Sequence, residues 1–239
     1  MKIFALSDLH LSINFPKPMN IFGPTWDNYI DKVKVNWQAL VKPEDIVVIS
    51  GDISWAMYLE DAKADLKYIN KLNGRKVILR GNHDYWWSTI SGVREALPQN
   101  MYAVQNDCIQ IDNVLFFGSR GWLMSEGIND TAENKKIYTR EVLRLELSLK
   151  NMQVKREKLL EQGITPVEIC MLHYPPFNIL RADTPVTNLL EKYDVKNVVY
   201  GHLHGSSCMA EKVVEKNGIK YFLTSCDLVD NCPQLITEI

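Results

Sequence analysis

Val77-Ile78-Leu79-Arg80-Gly81-Asn82-His83-Asp84 is the stretch whose reading decides the fold of this 239-residue chain. It begins as a short apolar run and stops abruptly at a glycine, followed by an amide, an imidazole and a carboxylate. Runs this short, rich in Val and Ile, read as buried strands. The same arrangement recurs on either side. Ile3–Leu6 ends at Ser7-Asp8, and Ile46–Ile49 ends at Ser50-Gly51-Asp52. Val167–Leu172 ends at His173, and Val198–Tyr200 ends at Gly201.

Further out, Met101–Val104, Cys108–Ile111 and Val114–Phe117 read as consecutive strands, with turns at Asn106-Asp107 and Asp112-Asn113. Ile219–Leu223 is another candidate strand. Helical patterns lie between. Ile30, Val33, Trp37, Leu40 and Val41 share one face after a Thr25 cap, and Leu59, Ala62, Leu66, Ile69 and Leu72 share another. Thr184-Pro185 starts a third helix. The longest pattern runs from about Thr131 to Gln162, heavily charged, with Tyr138, Val142, Leu145, Leu149, Met152 and Leu159 in one stripe. Gly163 suits its stop. Strands alternating with helices, then a run of strands, predict a layered α/β domain with mixed sheets. One domain over residues 1–239 is expected, with the charged helix as an insertion capping it or as a solvated helix along its edge.

Composition excludes several classes. Apolar residues are 46%, charged residues 23%, and net charge is −2, so a surface built to hold polyanions is not expected. Five cysteines form no C-x-x-C pair, which argues against a disulfide framework or a zinc knuckle and fits a reducing compartment. No stretch approaches the about 20 apolar residues of a membrane span. The apolar run before Asp8 is too short for a signal peptide. A cytoplasmic protein is expected.

All five histidines, His10, His83, His173, His202 and His204, sit just after a predicted strand, in turns that also carry Asp, Asn or Gly. Loops at strand ends of an α/β sheet converge in a crevice. Asp8-Leu9-His10, Gly51-Asp52, Gly81-Asn82-His83-Asp84, His173 and Gly201-His202-Leu203-His204 are each weak signals alone. In this order, each at a strand end, they form a strong one. Imidazole and carboxylate together suit borderline divalent ions such as Mn, Fe or Zn. The donor set is larger than one ion needs, which implies two. A shared carboxylate would hold them about 3.5–4 Å apart, and Asp52 is the candidate bridge. Asn82 would give a neutral amide oxygen and leave net positive charge. That charge attracts a phosphate and lowers the pKa of bound water toward about 7. Gly51, Gly81 and Gly201 permit sharp turns and close backbone approach.

The order D-x-H, G-D, G-N-H-D, H, G-H-x-H, from Asp8 to His204, resembles the calcineurin-like metallophosphoesterases. The resemblance implies two mixed sheets packed face to face with helices outside each, a four-layer α/β/β/α sandwich. It implies a first metal on Asp8, His10, Asp52 and His204, and a second on Asp52, Asn82, His173 and His202. It implies that His83 binds no metal but lies near the leaving group as general acid, with Asp84 orienting its ring. Arg80 stands where protein phosphatases of this superfamily also carry an arginine, and is a candidate for a bidentate contact to a phosphate oxygen; the alternative is a surface ion pair.

The expected reaction is hydrolysis of a phosphomonoester or phosphodiester by in-line attack of a metal-bridging hydroxide. The expected partner is a small or nucleotide-like phosphoester. Trp26, Trp55, Trp86, Trp87 and Trp122 lie near these motifs and either stack on a substrate or pack the rim and core. Two other readings compete. A non-catalytic scaffold of the same fold usually lacks ligands or the acid histidine, and here all are present. A nuclease would want a basic groove, which the net charge does not favour.

Overall fold

A computed structural model describes residues 1–124, 126–205 and 207–239. Along the chain run β1 (Lys2–Ala5), α1 (Tyr29–Leu40), β2 (Ile46–Ser50), α2 (Leu59–Asn70), β3 (Arg75–Leu79), α3 (Ile90–Ala96) and β4 (Met101–Val104). Then come β5 (Cys108–Ile111), β6 (Val114–Ser119), α4 (Ala132–Glu161), β7 (Val167–Leu172), α5 (Pro185–Lys192), β8 (Asn197–Tyr200), β9 (Val213–Lys216), β10 (Ile219–Leu223) and β11 (Gln234–Glu238).

The strands form two sheets. The first has the order β11-β1-β2-β3-β4, and the second β5-β6-β7-β8-β10-β9. In the first, β1 to β4 are parallel and only the β11 edge is antiparallel; in the second, β6, β7, β8 and β10 are parallel and both edges, β5 and β9, are antiparallel, so both sheets are mixed.

Alternation along the strands builds the layers. In β2, Ile46 and Val48 point between the sheets, where they share one cluster with Val77, Phe116, Ile169 and Val199. Val47 and Ile49 point outward and pack with Val33, Trp37, Leu66 and Ile69 of α1 and α2. On the second sheet, Leu115, Cys170 and Val198 point outward against Leu145, Leu149, Met152 and Leu190 of α4 and α5. The result is the four-layer α/β/β/α sandwich.

Thr131 caps α4, its side chain accepting the Asn134 N–H at 3.1 Å. The helix stops at Gly163 (φ 75°), where the Gly163 and Ile164 amides donate back to the carbonyls of Leu160 and Leu159. Its apolar stripe lies on the outer face of the second sheet, and most of its charges lie outside that stripe, with Glu141 the buried exception. The expected start at Thr184-Pro185 is also present, with a reciprocal capping box between Thr184 and Thr187.

Thr25 does not cap α1. It lies in a 3-10 turn over Pro24–Trp26, and α1 starts after Asn28, which adopts a left-handed conformation (φ 52°) without capping through its side chain. Burial of Trp26 and Tyr29 sets this entry. β9, β11 and α3 were not expected. The first two are short edge strands with weak alternation, and α3 is only seven residues long. No helix among the described residues is long and apolar enough to cross a membrane. All five cysteines are free, and burial pushes the Cys108 thiol up to about 12.

Lys76 is a buried cation in β3, ahead of its apolar run Val77–Leu79. It is 1% exposed, and its ammonium donates to the carbonyls of Asn70 and Leu72 at the end of α2. Burial lowers its pKa from 10.5 to about 8. Between these values the unfolded chain holds a proton that the folded chain has lost, so this group makes stability rise with pH across that window. Urea unfolding at pH 7 to 10.5 is expected to show this rise in the native chain relative to Lys76→Met. Parallel pH profiles for the two would remove Lys76 as its source.

Candidate metal centre

The motifs stand at the C-terminal ends of parallel strands. Asp8 and His10 follow β1, Asp52 follows β2, Asn82 to Asp84 follow β3, His173 follows β7, and His202 and His204 follow β8. Ser7 helps to hold the two sheets in register here. Its amide donates to the Thr224 carbonyl at 2.8 Å, and its hydroxyl accepts the Ser50 amide at 2.9 Å.

The loops then interlock through the backbone. The Asp8 amide donates to the Gly51 carbonyl at 3.0 Å, and the His10 amide to the Asp52 carbonyl at 2.9 Å. Asp52 Oδ1 accepts the His83 amide at 2.8 Å, and Asp8 Oδ2 accepts the His202 amide at 3.1 Å. Each carboxylate is thus fixed by the loop of another strand. Asp8, His10, Asp52 and His202 all have positive φ (59°, 44°, 51° and 71°). That conformation is uncommon outside glycine and clusters at functional sites.

Close packing explains two glycines. A Cβ at Gly81 would lie 2.1 Å from Asp52 Oδ1, and one at Gly201 would lie 2.2 Å from Asp8 Oδ2. Any side chain at either position would push a carboxylate away.

The seven expected ligands converge. His204 Nε2 lies 3.4 Å from Asp8 Oδ1. His10 Nε2 lies 3.7 Å from Asp52 Oδ2, and His173 Nε2 lies 3.6 Å from Asp52 Oδ1. Asn82 Oδ1 lies 2.7 Å from His173 Nε2 and 2.9 Å from His202 Nδ1. Asp8, His10 and His204 form one compact donor group, and Asp8, Asp52 and His173 a second that overlaps it.

The electrostatics suit a cation. Asp8 and Asp52 are 0% and 1% exposed, and among the described residues neither is paired with a lysine or arginine. Burial and the charges of Asp8 and Asp84 raise Asp52 to about 9. Burial also raises Asp8, but the hydrogen bond and charge of His204, with His173 and His10, hold it well below the usual range. Burial lowers His10 and His202 to about 3 and His173 to about 4. Only His204 is raised, to about 10: burial opposes its charge, but hydrogen bonds to Asp227 and Asp8 outweigh that. His10 Nδ1 is buried without a hydrogen-bond partner. Buried acids facing the neutral imidazoles of His10, His173 and His202, with an orphaned ring nitrogen on His10, fit divalent metal.

These loops lie within residues 1–206, which match the family model for calcineurin-like phosphoesterases. The chain belongs to the calcineurin-like phosphoesterase family. It is a metal-binding hydrolase of phosphoesters. No curated protein sequence matches it. Among solved structures, the chain is similar to phosphopantetheinyl hydrolase from Mycobacterium tuberculosis at 14% identity and a TM-score of 0.53, covering 100% of this chain and 96% of that one. That likeness shows the shared fold. A protein of unknown function from Aquifex aeolicus is also similar, at 16% identity and a TM-score of 0.49, covering 98% and 95% of the two chains. So is an archaeal phosphodiesterase, at 15% identity and a TM-score of 0.42, covering 95% and 86%.

The residues around this phosphoesterase centre fall differently from expectation in places. Asp84 was expected to orient the His83 ring. It is instead fully buried and accepts from the amides of Gly81, Ile53 and Ser54 and from Trp86 Nε1, at 2.7–3.1 Å. It ties the β2 and β3 loops together. The nearest groups to the His83 ring are Trp55, at 4.6 Å between centroids, and the Tyr85 hydroxyl, 3.4 Å from Nδ1. Arg80 is half-buried, makes no ion pair among the described residues, and has a buried Nε without a partner. Of the tryptophans, Trp26, Trp86 and Trp87 are buried, whereas Trp55 stacks on His10 at 4.8 Å and remains partly open.

Sequence reasoning missed Asp227. Its Oδ1 lies 2.8 Å from His204 Nδ1, and its Oδ2 accepts the Gly205 amide at 2.9 Å. An acid shortly after a strand, as at Asp8 and Asp52, was the available signal. Carboxylates behind ligand histidines fix ring orientation and raise ligand basicity. Asp227→Asn is therefore expected to weaken metal binding by about 10–100-fold, measured by competition with a chromogenic chelator. Unchanged affinity would exclude this role.

Proposed function

We propose that the protein is a dinuclear phosphohydrolase in which Asp8, His10, Asp52 and His204 hold one divalent ion, and Asp52, Asn82, His173 and His202 hold the other. The observation that carries this reading is the position of Asp52. Its two oxygens face one histidine of each set, His10 at 3.7 Å and His173 at 3.6 Å, as a bridging carboxylate requires. The mixed imidazole, carboxylate and amide donors favour Mn, Fe or Zn.

When bound, the metals supply Lewis acidity toward a water and a phosphoryl oxygen. The chain's own residues do the rest. Asn82 adds a donor without adding negative charge, so the centre stays attractive to a phosphate. Arg80, with no competing carboxylate, is free to form a bidentate contact to a phosphoryl oxygen. His83 is held by its backbone amide on Asp52 Oδ1, which places its ring beside the centre without making it a ligand. It donates a proton to the departing alcohol oxygen. Trp55 packs against the His83 ring and limits its rotation. The substrate is a small or nucleotide-like phosphoester.

His83→Ala is expected to bind metal like the native protein but to lose about 10²–10⁴-fold in rate on alkyl esters, and much less on nitrophenyl esters, whose leaving group needs no proton. Metal content and turnover on both ester types test this. Loss of metal in the variant, or equal loss on both esters, would remove His83 from the proton-donor role.

A further inference from the structure

On the second sheet's side of the centre lies an open hollow of about 610 Å³. It is built by residues that directly follow the site loops: Trp122 after β6, Pro175 after β7 and Leu203 after β8. Phe177, Ile179 and Met209 extend it, and His202 forms its inner end. Ile179 and Met209 are 92% and 91% exposed, although both are large and apolar. Apolar surface of this kind beside a polar centre marks a binding groove.

Few charged groups lie along it. Arg181 pairs with Glu211, and Asn178 Nδ2 donates to Glu126 Oε2 at 3.1 Å. The Arg181 cation is thus paired and Glu126 keeps its negative charge, so a second anionic group is not favoured here. What the hollow can take is an uncharged, apolar organic group whose phosphate reaches His202.

His83 stands elsewhere around the centre. Its ring neighbours are Trp55, His10 and Tyr85, none of which lines this hollow. Trp55 lines a separate hollow of about 270 Å³, together with Lys17. With His83 as proton donor, as in the function proposed above, the departing alcohol lies on the Trp55 side. The group in the larger hollow is then one that phosphorus keeps.

We propose that the hollow bounded by Trp122, Phe177, Ile179, Leu203 and Met209 binds the retained apolar arm of a phosphodiester. Water oxygen bonds to phosphorus, the bond to the other alcohol breaks, and that alcohol leaves with the proton from His83. The apolar arm stays on the phosphomonoester product.

The test is a series of alkyl 4-nitrophenyl phosphates, methyl to hexyl, which share one leaving group. With metal-supplemented protein, kcat/KM is expected to rise roughly 10–100-fold from methyl to hexyl, through burial of the added methylenes. Met209→Glu and Ile179→Glu are expected to bring the hexyl-to-methyl ratio toward one. Val154→Glu, on the exposed face of α4, is expected to keep the native ratio. Saturation-transfer NMR of hexyl methyl phosphate with metal-free protein gives a readout without turnover, with transfer strongest to the terminal methyl of the hexyl chain and lost in Met209→Glu. Equal rates for methyl and hexyl esters, or a chain effect untouched by both glutamates, would overturn the assignment of the hollow while leaving the phosphohydrolase standing. No nitrophenol from any of these diesters, with 4-nitrophenyl phosphate still hydrolysed, would overturn the assignment of the hollow alone; no nitrophenol from the monoester either would overturn both.

Discussion

Two carboxylates, Asp8 and Asp52, are removed from water with no lysine or arginine among the described residues to pair with them. Burying such charge is costly unless a cation or hydrogen bonds compensate. Backbone amides supply part of that compensation, from His202 to Asp8 and from His83 to Asp52. Burial holds the imidazoles of His10, His173 and His202 neutral, so they add donor atoms without repelling a cation. The loops, the glycines and the sheet packing all serve this one arrangement.

The four-layer sandwich makes the arrangement possible because it brings two sets of parallel strand ends to one edge. Asp8, Asp52 and Asn82 come from the first sheet, and His173, His202 and His204 from the second. Ser7 bonds to both Thr224 and Ser50, so the sheets are registered one residue before the first carboxylate. Asp84 does the same between neighbouring loops, taking three backbone amides and an indole N–H. Its buried position makes it a support for the loop floor, which explains why it is spent on backbone and not on the His83 ring. Left-handed conformations at Asp8, His10, Asp52 and His202 cost energy, and these interloop hydrogen bonds offset it.

The surroundings of the centre divide by sheet. Loops of the first sheet bring Trp26 and Trp55 against His10 and His83, a close aromatic wall. Loops of the second sheet bring Tyr174 over His202, at 4.1 Å between centroids, and open into the broad hollow beyond Leu203.

Much of this was legible in the chain. The short apolar runs marked nine of the eleven strands, because a buried parallel strand needs little more than consecutive Val and Ile. The D-x-H, G-D, G-N-H-D and G-H-x-H spacings marked the site, because donor residues must stand where strands end. The edge strands β9 and β11 escaped, since half-exposed strands carry a weaker apolar signal, and Thr25 misled because burial of Trp26 and Tyr29 overrode its capping preference. Asp227 and the Asp84 hydrogen bonds were invisible for another reason: they depend on which backbone amides and rings arrive from distant loops. Residue types and strand ends were determined by local sequence, which sets hydrophobic pattern and donor chemistry. The convergence of the carboxylates with the imidazoles and the apolar hollow were decided only in tertiary structure, because distances between loops far apart in the chain are set by how the two sheets pack.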